Sequence, residues 1–252
     1  MGRYPSREPR YEVYRGVGQP MSGTGSYLVS WSGGKDSCFA CHQARKQGMK
    51  ISRLVHFDRP FNLHGVGPEL IACQAEMAGI PLINRKVANK DFEREFKDTV
   101  SELKKSDTIH GMVFGDIYLE PHREWIKRVC GELGIEAVLP LWGMRTERIA
   151  HDFLDQGFDA VVVSGREQDI NREWIGRRLD RSFLEYLHTH GLDPCGENGE
   201  YHTFVVAGPL FTGKIEIAGS KAVQRDGHWL LNIGDYAVSV DAKQGEVMLD
   251  IS

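Results

Sequence analysis

The residues best equipped to do chemistry form one short run: Ser32, Gly33, Gly34, Lys35, Asp36 and Ser37. Residues 27–31 before it are apolar and read as a buried strand. Residues 38–47 after it read as a helix stopped by Gly48. A strand, a glycine turn and a helix N-terminus together make an anion site. Successive backbone N–H groups converge on the turn, and the helix dipole adds partial positive charge. Glycine matters because a Cβ would block the approach of phosphate oxygens. Lys35 adds a full charge, while Ser32 and Ser37 add hydroxyl donors. The commoner phosphate loop, Gly-x-x-x-x-Gly-Lys-Ser/Thr, does not fit. Val29 stands where its first glycine belongs, and Asp36 follows the lysine.

A second unusual segment, 193–203, packs Gly196, Glu197, Asn198, Gly199 and Glu200 together. Two carboxylates this close repel, and they favour a cation such as Mg²⁺, ammonium or a charged substrate group. A solvated acidic turn accounts for the same spacing.

Elements that could position these segments follow from periodicity. Further strands are expected at 51–57, 81–87, 110–116 and 137–142, and helices at 68–79, 91–105 and 121–133. The 91–105 helix carries Phe92, Phe96, Val100 and Leu103 on one stripe. Alternating strands and helices imply an α/β fold, a parallel sheet with helices on both faces. Ligands sit beyond the carboxyl ends of such strands. The glycine loop and Asp116, which ends the fourth strand, both belong to that edge. Past Trp142 the pattern changes: a helix at 146–156, a strand at 160–164, a polar stretch at 165–178, a helix through 183–188, and a strand-rich tail from 203 with an Asp226-Gly227 hairpin turn. The expected organisation is a flexible leader at 1–26, a nucleotide-binding domain at 27–142, and a smaller α+β domain at 143–252.

Composition narrows the class. With 252 residues, 41% hydrophobic and 26% charged, the chain can bury a real core. No apolar run is long enough for a membrane span, and the N-terminus has no secretory core. A net charge of −4 gives no bulk attraction to nucleic acid. Five cysteines, an odd number, suggest a reduced cytoplasmic protein. Cys38 and Cys41 could be a redox pair, but two small core residues on one helix face are the favoured reading. His188 and His190 lack a second pair of metal ligands. Trp125, Trp142, Trp174 and Trp229 read as core. Arg177, Arg178 and Arg181 form a positive cluster that could touch phosphate or be a solvated face.

The 32–37 loop resembles the pyrophosphate-binding loop of the N-type ATP pyrophosphatases, which cleave ATP between the α and β phosphates. With the run Gln74-Ala75-Glu76-Met77-Ala78-Gly79-Ile80-Pro81-Leu82 and the segment 196–201, the chain is similar to the diphthine–ammonia ligase family from residue 27 to about 215. The resemblance implies a HUP-like fold of the adenine nucleotide α-hydrolase type. It implies adenylation of a carboxylate and its amidation with free ammonium, with ATP and Mg²⁺ as cofactors. By position, residues 32–37 would hold the phosphates, with Lys35 and Asp36 catalytic and Asp36 on the metal. Asp116 would face the nucleotide, and Glu197 and Glu200 the acceptor or ammonium. His202 stands where the family commonly has an acidic residue, and 115–123 is more similar to a bacterial branch. The acceptor is therefore open between protein-borne diphthine and a small molecule such as a corrinoid. A tRNA-modifying relative, a non-catalytic ATP-binding module and a homodimer also stay open.

Overall fold

The computed structural model describes residues 25–59 and 65–240. The expected leader lies outside these residues except for its last two positions, as do 60–64 and 241–252. Five strands form a parallel sheet: β1 (Ser26–Ser30), β2 (Ile51–Asp58), β3 (Leu82–Lys86), β4 (Ile109–Val113) and β5 (Glu136–Val138), ordered β3-β2-β1-β4-β5. The connections contain α1 (Lys35–Lys46), α2 (Pro68–Ala78), α3 (Phe92–Ser106) and α4 (Glu120–Glu132). Strand order reverses between β1 and β4, where such sheets place ligands.

The alternation of β1 explains the layering. Leu28 enters one apolar cluster with Phe96 and Val100 of α3 and Ile126 and Val129 of α4. Val29 enters the other, with Phe39 and Ala40 of α1 and Ile71 and Ala75 of α2. The stripe on α3 thus faces the sheet as its spacing predicts. Each such side chain contributes about 1.5–3 kcal/mol by leaving water. The structure bears out the expected α/β class.

The rest of the chain supplies α5 (Thr146–Asp155), β6 (Asp159–Arg166), α6 (Arg181–Thr189), β7 (Tyr201–Ala207), β8 (Gly213–Arg225) and β9 (His228–Val240). Its four strands form an antiparallel sheet ordered β7-β6-β9-β8. Asp226 and Gly227 both have positive φ, 50° and 74°, as the predicted hairpin turn requires. One apolar cluster runs from α1 and α2 into α5, β6, α6 and β7. At its centre Phe39 of α1 meets Phe153 and Phe158 edge-on, at 6.1 and 5.9 Å.

Two sequence expectations need correction. The strand expected at 137–142 stops at Val138, because Pro140 has no N–H and Trp142 N–H turns back onto the Leu139 carbonyl at 3.2 Å. The strand expected at 160–164 continues to Arg166, where Gly165 and Arg166 pair with Trp229 and His228. Such distant pairing leaves no local signal. Among the described residues no helix is long and apolar enough to cross a membrane.

Gly115, just past β4, lets that turn lie against the start of α1. A Cβ there would stand 2.8 Å from the Asp36 carbonyl carbon and 2.9 Å from the Ser37 nitrogen. Backbone cannot rotate aside, so Gly115→Ala should destabilise the protein by about 1–3 kcal/mol in urea unfolding. A loss below about 0.5 kcal/mol would contradict this packing.

Candidate active site

The 32–37 loop is braced by its own side chains. Ser32 and Ser37 hydroxyls lie 3.0 Å apart, the Ser32 and Gly34 amides donate to Ser37 Oγ and Ser32 Oγ, and Ser37 Oγ donates to the Gly34 carbonyl at 3.1 Å. Gly33 has φ +77°, and a Cβ there would meet Gln74 Oε1 at 2.6 Å. The amide of Lys35, first in α1, donates to Thr203 Oγ1 on β7 at 3.1 Å.

A cleft of about 640 Å³ opens over this loop. Ser32, Gly34, Lys35, Asp36 and Ser37 line it, together with Asp116 beyond β4 and Glu197 from the acidic loop. Gly33 does not line the cleft, since its carbonyl faces Gln74 and Val205 at 3.0 and 2.9 Å.

The structure separates the two glutamates that the sequence presents as a pair. Glu200 is 3% exposed, and its carboxylate accepts the Asp193 amide (3.1 Å), the Asn198 amide (2.9 Å) and the Asn198 side-chain amide (3.0 Å). It holds the loop's own backbone and is not among the residues lining the cleft. Asp193 Oδ1 accepts the Cys195 and Glu197 amides, at 2.8 and 3.3 Å. Glu197 is left to present its carboxylate to the cleft.

Charge is concentrated here. Lys35 Nζ is buried, lies 2.9 Å from Asp36 Oδ2, and also donates to the Cys195 carbonyl. Burial is the largest influence and would lower its pKa, but Asp36, Tyr201 and Cys195 together outweigh it and hold the ammonium well above the ordinary lysine value. Burial raises Asp36 despite Lys35, and raises Asp116 despite a 3.1 Å contact with His122 Nδ1. Glu197 is pushed up to about 7, by burial first and then by Asp36 and Asp116, against the pull of Lys35.

Carboxylates grouped this closely repel one another. Asp36 Oδ1 is buried with no hydrogen-bond partner. Among the described residues no three His, Cys, Asp or Glu side chains are grouped to hold a metal by themselves. The buried Asp36 oxygen is of the kind that fits Mg²⁺, which is commonly held by one or two carboxylates plus phosphate oxygens.

Several cleft residues escape a motif-based reading. His56, Phe57 and Arg59 line it from the end of β2, with the Arg59 guanidinium 3.9 Å over the Phe92 ring. Their position after a strand was the available signal. Thr203 gave none. Cys38 and Cys41 are wholly buried in the apolar cluster, and burial pushes Cys38 well up and Cys41 to about 12, so they behave as core. Arg177 stacks on Trp174 at 4.2 Å, and Arg178 and Arg181 pair with Asp159 and Asp155.

The raised Glu197 pKa has a stability consequence. Between its ordinary value of 4.5 and about 7, the folded chain keeps a proton that the unfolded chain has lost. Stability from this group therefore falls as pH rises across that window. The melting temperature of Glu197→Gln, relative to the parent, should rise between about pH 5 and about pH 8. A difference that is flat across this range would refute the burial of Glu197 among carboxylates.

Comparison with known proteins identifies the family. Residues 25–137 match the family model described as diphthamide synthase N-terminal domain, and 145–243 the one described as diphthamide synthase C-terminal domain. A Bos taurus protein named diphthine–ammonia ligase is 25% identical over 76% of this chain and 82% of its own. A Schizosaccharomyces pombe protein of the same name is 27% identical over 77% of this chain and 36% of its own. A solved Methanocaldococcus jannaschii structure, described as a predicted subunit of tRNA methyltransferase, is similar over 73% of this chain and 98% of its own, at 16% identity and a TM-score of 0.42. With both domain models matched in order, the chain belongs to the diphthamide synthase family.

Proposed function

We propose that the protein is an ATP-dependent amide ligase that adenylates a carboxylate and amidates it with ammonium, releasing AMP and pyrophosphate. The observation that carries this reading is that a pyrophosphate-type loop and the Glu197 loop share one cleft and are tied through Lys35. A carboxylate resists attack by nucleophiles because of its charge. Its oxygen attacks the α-phosphorus, the bond from that phosphorus to the bridging oxygen breaks, and pyrophosphate leaves. Ammonia then adds to the acyl carbon and displaces AMP.

The roles follow from position. The amides of the 32–37 loop and Lys35 hold the β and γ phosphates, stabilising charge as it develops on the leaving group. Lys35 exchanges part of its contact with Asp36 for phosphate. Asp36, with Asp116 beside it, would hold Mg²⁺, which when bound neutralises phosphate charge. Glu197 binds ammonium and accepts its proton, suited to this by a pKa near neutrality. Glu200 fixes the loop that presents Glu197. The acceptor in this reading is protein-borne diphthine, after the names of the relatives.

The direct test incubates the protein with ATP, Mg²⁺, ammonium and diphthine-bearing elongation factor 2, then separates the nucleotides. AMP should form only when ammonium and acceptor are both present, and Lys35→Met should slow it by ~10²-fold. ADP as product would rule out the ligase reading. AMP formation with a corrinoid acid but not with the elongation factor would retain the chemistry and replace the acceptor.

A further inference from the structure

The Gln74 stretch is the one sequence motif without a part in the reaction as drawn. Gln74 is wholly buried on a helix whose neighbouring buried positions, Leu70, Ile71, Ala75 and Met77, are apolar. A polar side chain there must satisfy its own hydrogen bonds. It does so in three directions. Its Oε1 accepts from the Trp31 indole N–H at 3.0 Å, and its Nε2 donates to the Gly33 carbonyl at 3.0 Å and the Val205 carbonyl at 2.6 Å.

Those three partners belong to different parts of the site. Trp31 leads into the phosphate loop, Gly33 lies within it, and Val205 is on β7, two residues past Thr203. The Gly33 carbonyl also accepts the Val205 N–H at 2.9 Å, and Thr203 Oγ1 accepts the Lys35 N–H. β7 in turn runs straight out of the segment that presents Glu197. One amide therefore joins the loop beneath the phosphates to the strand behind the acidic loop. We propose that Gln74 is a positioning residue that sets the register between the phosphate loop and the acidic loop, so that ATP bound on the first orders the second.

The chemistry is particular to glutamine. A glutamate would turn an oxygen toward two carbonyl oxygens in place of the two N–H donors. An asparagine is one methylene too short to reach the three partners from the same backbone. Gln74 does not line the cleft and is assigned no contact with reactants. Its effect is on relative placement, to which rates are steeply sensitive. The inference rests on the reading that the 32–37 loop binds ATP.

The test is hydrogen–deuterium exchange on the full chain, with and without ATP and Mg²⁺, for the parent, Gln74→Met and Gln74→Asn. Melting curves show which variants are folded, and the asparagine variant, which keeps an amide, decides the matter if the methionine variant does not fold. In the parent, ATP should slow exchange at both 32–37 and 193–205. In the variants, protection should persist at 32–37 and disappear at 193–205, with ATP affinity weakened by no more than about three-fold and turnover reduced at least ~10-fold. Protection of both segments in a folded variant, or protection confined to 32–37 in the parent, would overturn the inference while leaving ATP binding intact. No protection anywhere in the parent would overturn the ATP reading and the inference with it.

Discussion

The hydrogen bonds that meet at the Gly33 carbonyl hold the candidate site in one piece. The parallel sheet by itself offers a carboxyl edge and an anion-binding turn. The acidic loop lies some 160 residues away in sequence, as the separation of Lys35 and Cys195 shows. Val205 N–H and Gln74 Nε2 both donate to Gly33, and Thr203 caps the start of α1. These bonds are buried, where an unpaired partner costs about 1–3 kcal/mol, so the junction tolerates little slack. The Phe39, Phe153 and Phe158 contact beneath it makes the two halves share a core.

Electrostatics sets what the cleft can accept. A polyanion entering among Asp36, Asp116 and Glu197 meets like charge, opposed at the centre by Lys35. A cation on the carboxylates, or protons on some of them, would ease that repulsion, and Arg59 adds a second positive side chain to the lining. The raised Glu197 pKa and the buried, unpartnered Asp36 Oδ1 both reflect this crowding of carboxylates.

Much of this was legible in the residues. The Ser32–Ser37 spacing, its flanking strand and helix, and the alternation leading to a parallel sheet are local properties, so periodicity finds them. The extent of β6 was not, because Gly165 and Arg166 are strand through pairing with distant partners, Tyr201 of β7 and Trp229 and His228 of β9. Nor was the division of labour between Glu197 and Glu200. Both lie on one short loop, and only the inward folding of Glu200 onto the Asp193 and Asn198 amides tells them apart. Gln74 did leave a trace, a polar residue among buried apolar neighbours on a helix. Its partners, however, come from three segments that sequence alone does not bring together.

The central claim is that an acceptor oxygen attacks the α-phosphorus of ATP held by the 32–37 loop. Labelling the acceptor carboxylate with ¹⁸O and weighing the products by mass spectrometry tests this directly. One labelled oxygen should appear in AMP for each amide formed, with none in pyrophosphate. Label in inorganic phosphate, or unlabelled AMP accompanying amide formation, would contradict the account.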